Sequence, residues 1–264
     1  MEVHYNEYRE MNMRSCRLSG DMLWALVMLP VILSACLPVE IQAPAMDLTV
    51  VEKPVLKEET QPVPQTILAL GDSYTIGSSV SEDERWLVQL VTKLREQGLL
   101  VADPTIVAQG GWTTDDLERG IQEADPQGIF DLVTLLIGVN DQFRGYPVQD
   151  YRPRFASLLA QAVTFAGGDP GRVVVLSIPD WGVMPFAGGR RTDEISSQID
   201  AYNAVNFEET KKTGAMYVDV TGVSRRAAEE FDLIAADGLH PSAEMYALWV
   251  EQVLPVVMQV LTGE

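Results

Sequence analysis

The sequence predicts an α/β fold, a three-layer α/β/α sandwich around a five-stranded parallel sheet. Short apolar segments alternate with helix-period segments over residues 66–264. Such alternation sets parallel strands in one sheet with helices on both faces. Two segments, 131–137 (DLVTLLI) and 172–178 (RVVVLSI), are apolar almost throughout, as strands covered on both faces are. The chain is 47% hydrophobic and 22% charged, which supplies a sizeable core and argues against disorder as the main state.

Residues 66–70 (TILAL) read as the first strand. Ser81-Glu82-Asp83-Glu84 fits a capping box, and Leu87, Leu90, Val91 and Leu94 follow at helical spacing up to Gly98. Residues 105–108 form the second strand, and Leu117 and Ile121 mark a short helix after it. Residues 131–137 are the third strand, followed by a helix on Phe155, Leu158, Leu159 and Ala162. Residues 172–178 are the fourth, followed by a helix on Ile195, Ile199, Tyr202 and Val205 that stops near Gly214. Residues 216–220 are the fifth. The last helix starts at about Ser242, with Met245, Leu248, Trp249 and Gln252 on one stripe and Pro255 expected to kink its end.

The N-terminus reads as a targeting segment. Met22 to Leu33 (MLWALVMLPVIL) is an apolar run of 12, short for a membrane span and right for a signal-peptide core. Arg14 and Arg17 precede it, and translation from Met11 or Met13 instead of Met1 would leave a conventional short n-region. Leu33-Ser34-Ala35-Cys36 resembles the bacterial lipobox, in which cleavage precedes a cysteine that then carries lipid. The alternatives are an uncut anchor and an ordinary secretory signal. Pro38, Pro44, Pro54, Pro62 and Pro64, with Glu40, Glu58 and Glu59, make the next stretch an extended tether. The expected organisation is a lipoprotein signal peptide at 1–35, a lipidated Cys36 with a tether at 36–65, and one domain at 66–264. The expected location is extracytoplasmic, on a bacterial membrane.

Charge and composition exclude several functions. Lys and Arg total 19 against 38 Asp and Glu, a formal net charge of −19. So acidic a chain repels phosphate backbones, which argues against nucleic acid as a partner. Two cysteines make neither a disulfide scaffold nor a Cys-rich zinc site. Past Cys36 one histidine remains, His240. No GxGxxG or GxxxxGK[ST] follows the first strand, so a nucleotide-binding domain is remote.

In doubly wound sheets, ligands sit beyond the carboxyl ends of the strands. Four blocks map there: Gly71-Asp72-Ser73-Tyr74, Gly110-Gly111-Trp112-Thr113, Gly138-Val139-Asn140-Asp141 and Asp237-Gly238-Leu239-His240. A serine hydroxyl needs a base to take its proton. His240 is the only imidazole left to do so, and Asp237, three residues earlier, is close enough to fix its tautomer. The bland alternatives are a helix N-cap for Ser73, a surface histidine for His240 and a turn residue for Asn140.

In order and spacing the four blocks resemble the SGNH hydrolases, or GDSL family, over roughly residues 66–255. The resemblance implies a serine esterase that works through an acyl-enzyme on small-molecule or carbohydrate acyl esters, with no metal and no organic cofactor. It makes Ser73, Asp237 and His240 the catalytic triad. It assigns the oxyanion hole to the Ser73 N–H, a glycine N–H and the Asn140 amide, with Gly111 preferred to Gly110 because Thr113 stands two residues on. Asp72 and Asp141 would organise their loops. An acyltransferase of the same chemistry and a non-catalytic binding protein on this fold are the competing readings. Trp112, Arg144 and Trp181 are candidate pocket residues, with Phe143, Tyr146, Phe186, Arg190 and Arg191 close to them in sequence. Arg144 could pair with a substrate carboxylate or with one of the chain's own acidic groups.

Overall fold

Five strands pair in parallel in the order β2-β1-β3-β4-β5: β1 (Ile67–Gly71), β2 (Thr105–Ala108), β3 (Leu132–Leu136), β4 (Val173–Leu176) and β5 (Met216–Val218). The structure is a computed structural model and describes residues 62–188 and 192–263. The signal segment, Cys36, most of the tether, Arg190 and Arg191 lie outside the described residues. The helices are α1 (Ser73–Ile76), α2 (Trp86–Glu96), α3 (Thr114–Ala124), α4 (Val139–Phe143), α5 (Val148–Phe165), α6 (Thr192–Thr213), α7 (Thr221–Arg225) and α8 (Ala243–Thr262).

The burial of each strand follows from its place in the sheet. Every residue of β1, β3 and β4 is buried, while the edge strands β2 and β5 are partly exposed. Helix α2 packs against α8 on one side, and α3, α5 and α6 pack in series on the other. The indoles of Trp86 (α2) and Trp249 (α8) are fully buried in the first of these layers, each worth roughly 2–3 kcal/mol by burial. Helix α8 is long and apolar enough by composition to cross a membrane, but Met245, Tyr246, Trp249, Val250, Val253 and Val257 bury its apolar face in the domain.

Two elements differ from their sequence expectation. The box at Ser81–Glu84 forms but closes only a 3₁₀ turn, because Arg85 is extended (ψ 140°) and α2 starts afresh at Trp86. The buried stripe of α8 excludes Gln252, which is exposed. Pro255 lies inside α8, which continues to Thr262. Both Pro255 and Glu251, whose carbonyl loses its partner, face solvent, where water can satisfy that carbonyl.

The chain leaves β1 towards β2 on one side and later returns to β3 on the other. Between the carboxyl ends of β1 and β3 a crevice therefore opens, the usual ligand position of a doubly wound sheet. Ser73 follows β1 and Asn140 follows β3, so topology alone puts both at this switch point.

Candidate active site

The turn out of β1 is tight. A side chain at Gly71 would collide with Thr75 Oγ1 and the Leu136 carbonyl, so only glycine lets α1 begin directly on the strand. Asp72, not Ser73, is the N-cap: its Oδ1 accepts from the Tyr74 N–H at 3.0 Å. Ser73 is the first helical residue. Its N–H is one of the donors that a helix start leaves unpaired. Asp72 is fully buried, and among the described residues its Oδ2 has no partner. Burial, reinforced by the nearby Asp141 carboxylate, pushes its carboxyl up to about 8. Asp72 is therefore neutral at pH 7.

Beyond β2, Gln109-Gly110-Gly111-Trp112 make a turn closed by the Trp112 N–H on the Gln109 carbonyl (3.3 Å). Gly111 takes φ +83°, a conformation glycine adopts freely. Among the described residues, neither the Gly110 nor the Gly111 N–H is engaged in a hydrogen bond. Arg144 clamps the turn from outside, its Nη2 donating to the Gly111 carbonyl at 2.7 Å. Asn140 Nδ2 donates to the Trp112 carbonyl at 2.9 Å. That bond anchors the amide and leaves its second N–H available. Ser73, Gly110, Gly111 and Asn140 all line one cavity of about 310 Å³.

His240 reaches the same cavity from the loop before α8. Its Nδ1 lies 2.5 Å from Asp237 Oδ2. Asp237 Oδ1 accepts the Leu239 and His240 N–H groups at 2.9 and 3.0 Å, and Ser79 Oγ donates to Oδ2 at 2.6 Å. Partial burial pushes the Asp237 carboxyl up, but these bonds, led by that from His240, outweigh it and hold the group well below the usual carboxylate range. An ionised carboxylate only accepts, so Nδ1 carries the proton and Nε2 of the neutral ring is free to take one. Among the described residues Ser73 Oγ makes no hydrogen bond, so its link to His240 is open here; in unliganded sites such links are often long and close on substrate.

The apolar walls of the cavity are Tyr74, Val139, Phe143, Trp181, Phe186 and Leu239. Phe143 meets Trp181 edge-on (centroids 5.4 Å), and Phe186 lies 6.2–6.3 Å from both rings. Trp181 is fixed from behind, its Nε1 donating to Gln142 Oε1 at 2.7 Å. Of the three candidate pocket residues, Trp181 lines the cavity whereas Trp112 and Arg144 do not. The Trp112 ring packs over Gly120 of α3, where any side chain would strike it. Arg144 faces its own chain, holding Gly111 and approaching Asp116 (3.7 Å). Tyr146 is also elsewhere, stacked under Arg154. Tyr74, Leu239 and the Ser79 contact had no separate sequence signal, since each depends on the meeting of segments about 160 residues apart. Among the described residues no group of three His, Cys, Asp or Glu is placed to hold a metal.

Solved structures share this fold. TesA is 22% identical with a TM-score of 0.56, over 75% of this chain and 100% of TesA. The psychrotrophic esterase EstA from Pseudoalteromonas sp. is 19% identical (TM-score 0.55), over 75% of this chain and 99% of EstA. Axe2, an acetylxylan esterase from Geobacillus stearothermophilus, is also 19% identical (0.55), over 73% and 94%. No curated protein matches the chain. The model of the GDSL-like lipase/acylhydrolase family matches residues 69–248, and the protein belongs to that family of serine ester hydrolases.

Proposed function

We propose that this protein is a lipid-anchored, extracytoplasmic esterase that cleaves acyl esters through Ser73, His240 and Asp237. The observation that carries the reading is the meeting of the Asp237-held imidazole, Ser73 and unengaged N–H donors from Ser73, the Gly110-Gly111 turn and Asn140 in one cavity. His240 Nε2 takes the Ser73 proton as Oγ attacks the ester carbonyl carbon. The negative charge moves to the carbonyl oxygen, which accepts from the Ser73 N–H, the Gly111 N–H and Asn140 Nδ2. Collapse of this intermediate expels the alcohol oxygen, which takes the proton from His240 and leaves an acyl-Ser73 ester. Water then attacks with its proton passing to Nε2, and Ser73 regains its hydrogen as the acid leaves. Asp237 stays ionised and stabilises the imidazolium.

The apolar walls suit an acyl group of several carbons. Among the neighbours of the same fold, Axe2 is an acetylxylan esterase, so acetylated sugars belong in the same trial. The test is hydrolysis by the soluble domain of short- and long-chain acyl esters and acetylated sugars, with Ser73→Ala as control. Activity in the parent and loss in Ser73→Ala support the reading. A folded Ser73→Ala as fast as the parent sinks it. Anchoring rests on Cys36 and the tether. Cys36→Ala is expected to block lipidation and cleavage after Ala35. A Cys36→Ala protein still processed and membrane-held like the parent refutes the anchor.

A further inference from the structure

We propose that Ser79 is a positioning residue for the catalytic pair: its hydroxyl ties the loop behind the nucleophile to the loop that carries the acid and the base. This rests on the triad reading above.

Ser79 lies six residues after Ser73 and 158 before Asp237, and its Oγ donates to Asp237 Oδ2 at 2.6 Å. The same oxygen accepts from His240 Nδ1, while Oδ1 takes two backbone N–H groups. The carboxylate is thus held by four donors, and Ser79 supplies the one that comes from the nucleophile's side of the crevice. The backbone there is strained. Ser79 has φ +69°, and Asp125 is its only non-glycine companion at positive φ among the described residues. A left-handed serine costs free energy that a glycine would not, and such strain persists where surrounding contacts impose it. Here the strained conformation comes with a charge-assisted hydrogen bond to the acid of the triad. Among the described residues Ser73 and His240 are not themselves bonded, and the Ser79 bond and the edge-on contact of Tyr74 with His240 (5.6 Å) tie the nucleophile's side directly to the acid–base pair.

Other ionisable groups face the pair from α1 and α8. Burial holds the Tyr74 and Tyr246 hydroxyls above their ordinary range, so neither titrates near neutrality. Burial pushes the Asp72 carboxyl up to about 8, and Ser79 is not among the groups that shift it.

The test is Ser79→Gly, which removes the hydroxyl and suits the positive φ, so the fold is retained. We expect an unchanged or raised melting temperature. We also expect kcat to fall about three- to tenfold, the worth of one hydrogen bond, with KM within about twofold. The acid limb of kcat/KM should move to higher pH, because Asp237 Oδ2 without its second donor presents more charge to the imidazolium. A parental kcat, or a fall in kcat with an unmoved acid limb, overturns the proposal. Ser73→Ala measured alongside separates the two failures: if it too retains the parent rate, the triad reading itself has failed.

Discussion

Asp141 grips Thr114 twice, accepting its N–H at 2.9 Å and its hydroxyl at 2.6 Å, and both residues are buried. Asp141 follows Asn140 on α4, and Thr114 opens α3 directly after the glycine turn. The two bonds therefore weld the β3 and β2 strand ends, each of which carries a donor of the proposed oxyanion hole. Asp141→Ala strands a buried N–H and hydroxyl. It should destabilise the domain by about 2–3 kcal/mol and also lower kcat. Urea unfolding and steady-state kinetics on the same preparation check both. An unchanged unfolding midpoint would remove the weld from the account.

Asn140 has a different role from its neighbour, because one amide hydrogen is already spent on the Trp112 carbonyl. In the proposed mechanism the other serves the developing oxyanion. Asn140→Ala should lower kcat roughly 10²–10³-fold with little change in KM, since that donor acts on charge present only in the transition state. If KM rises and kcat holds, Asn140 binds the ground-state ester instead.

Much of this site was legible because its parts are local. The buried strands announce themselves as apolar runs, and Ser73, Asn140 and the Asp237–His240 pair each stand a few residues from a glycine at a strand end or turn. What stayed hidden depends on chain segments meeting. The Ser79–Asp237 bond spans 158 residues, and the Arg144 clamp on Gly111 spans 33. Neither leaves a periodic or compositional trace. Trp112 misleads for a related reason. An aromatic beside a glycine turn at a strand end suggests a pocket wall, but the missing side chain at Gly120 makes room for its ring against α3. In α8 the apolar residues are dense enough that two stripes fit the sequence, and only the packing against α2 selects the one through Val253 and excludes Gln252.

The Arg144 clamp distinguishes two uses of a cation at the rim. If Arg144 positions the Gly111 peptide, Arg144→Ala should cut kcat about three- to tenfold alike for neutral and anionic esters, as loss of a partly exposed charged hydrogen bond would. If it recognises substrate carboxylates, the loss falls on KM for anionic esters alone. A matched pair of a neutral ester and its carboxylated analogue reads the difference.

Asp72 ties stability to pH in the direction opposite to most carboxylates. Its folded value of about 8 lies above the unfolded 3.8, the cause being burial with no partner for Oδ2. Between these values the native state holds a proton that the unfolded chain has released. Stability contributed by this group is therefore complete below about pH 4 and is lost progressively as pH rises to about 8, at most about 6 kcal/mol in all. Asp237, held low by its four donors, works the other way: its contribution is present above the ordinary carboxylate range and is lost only in strong acid. Over the neutral window Asp72 thus acts alone of the two. Asp72→Asn keeps an oxygen for the Tyr74 N–H and removes the titration. Relative to the parent, Asp72→Asn should gain stability steadily from pH 5 to pH 8, by up to a few kcal/mol. Unfolding midpoints in urea across that range test this directly. Parallel pH profiles for Asp72→Asn and the parent would mean that Asp72 is ionised in the native protein, with water or a cation at Oδ2.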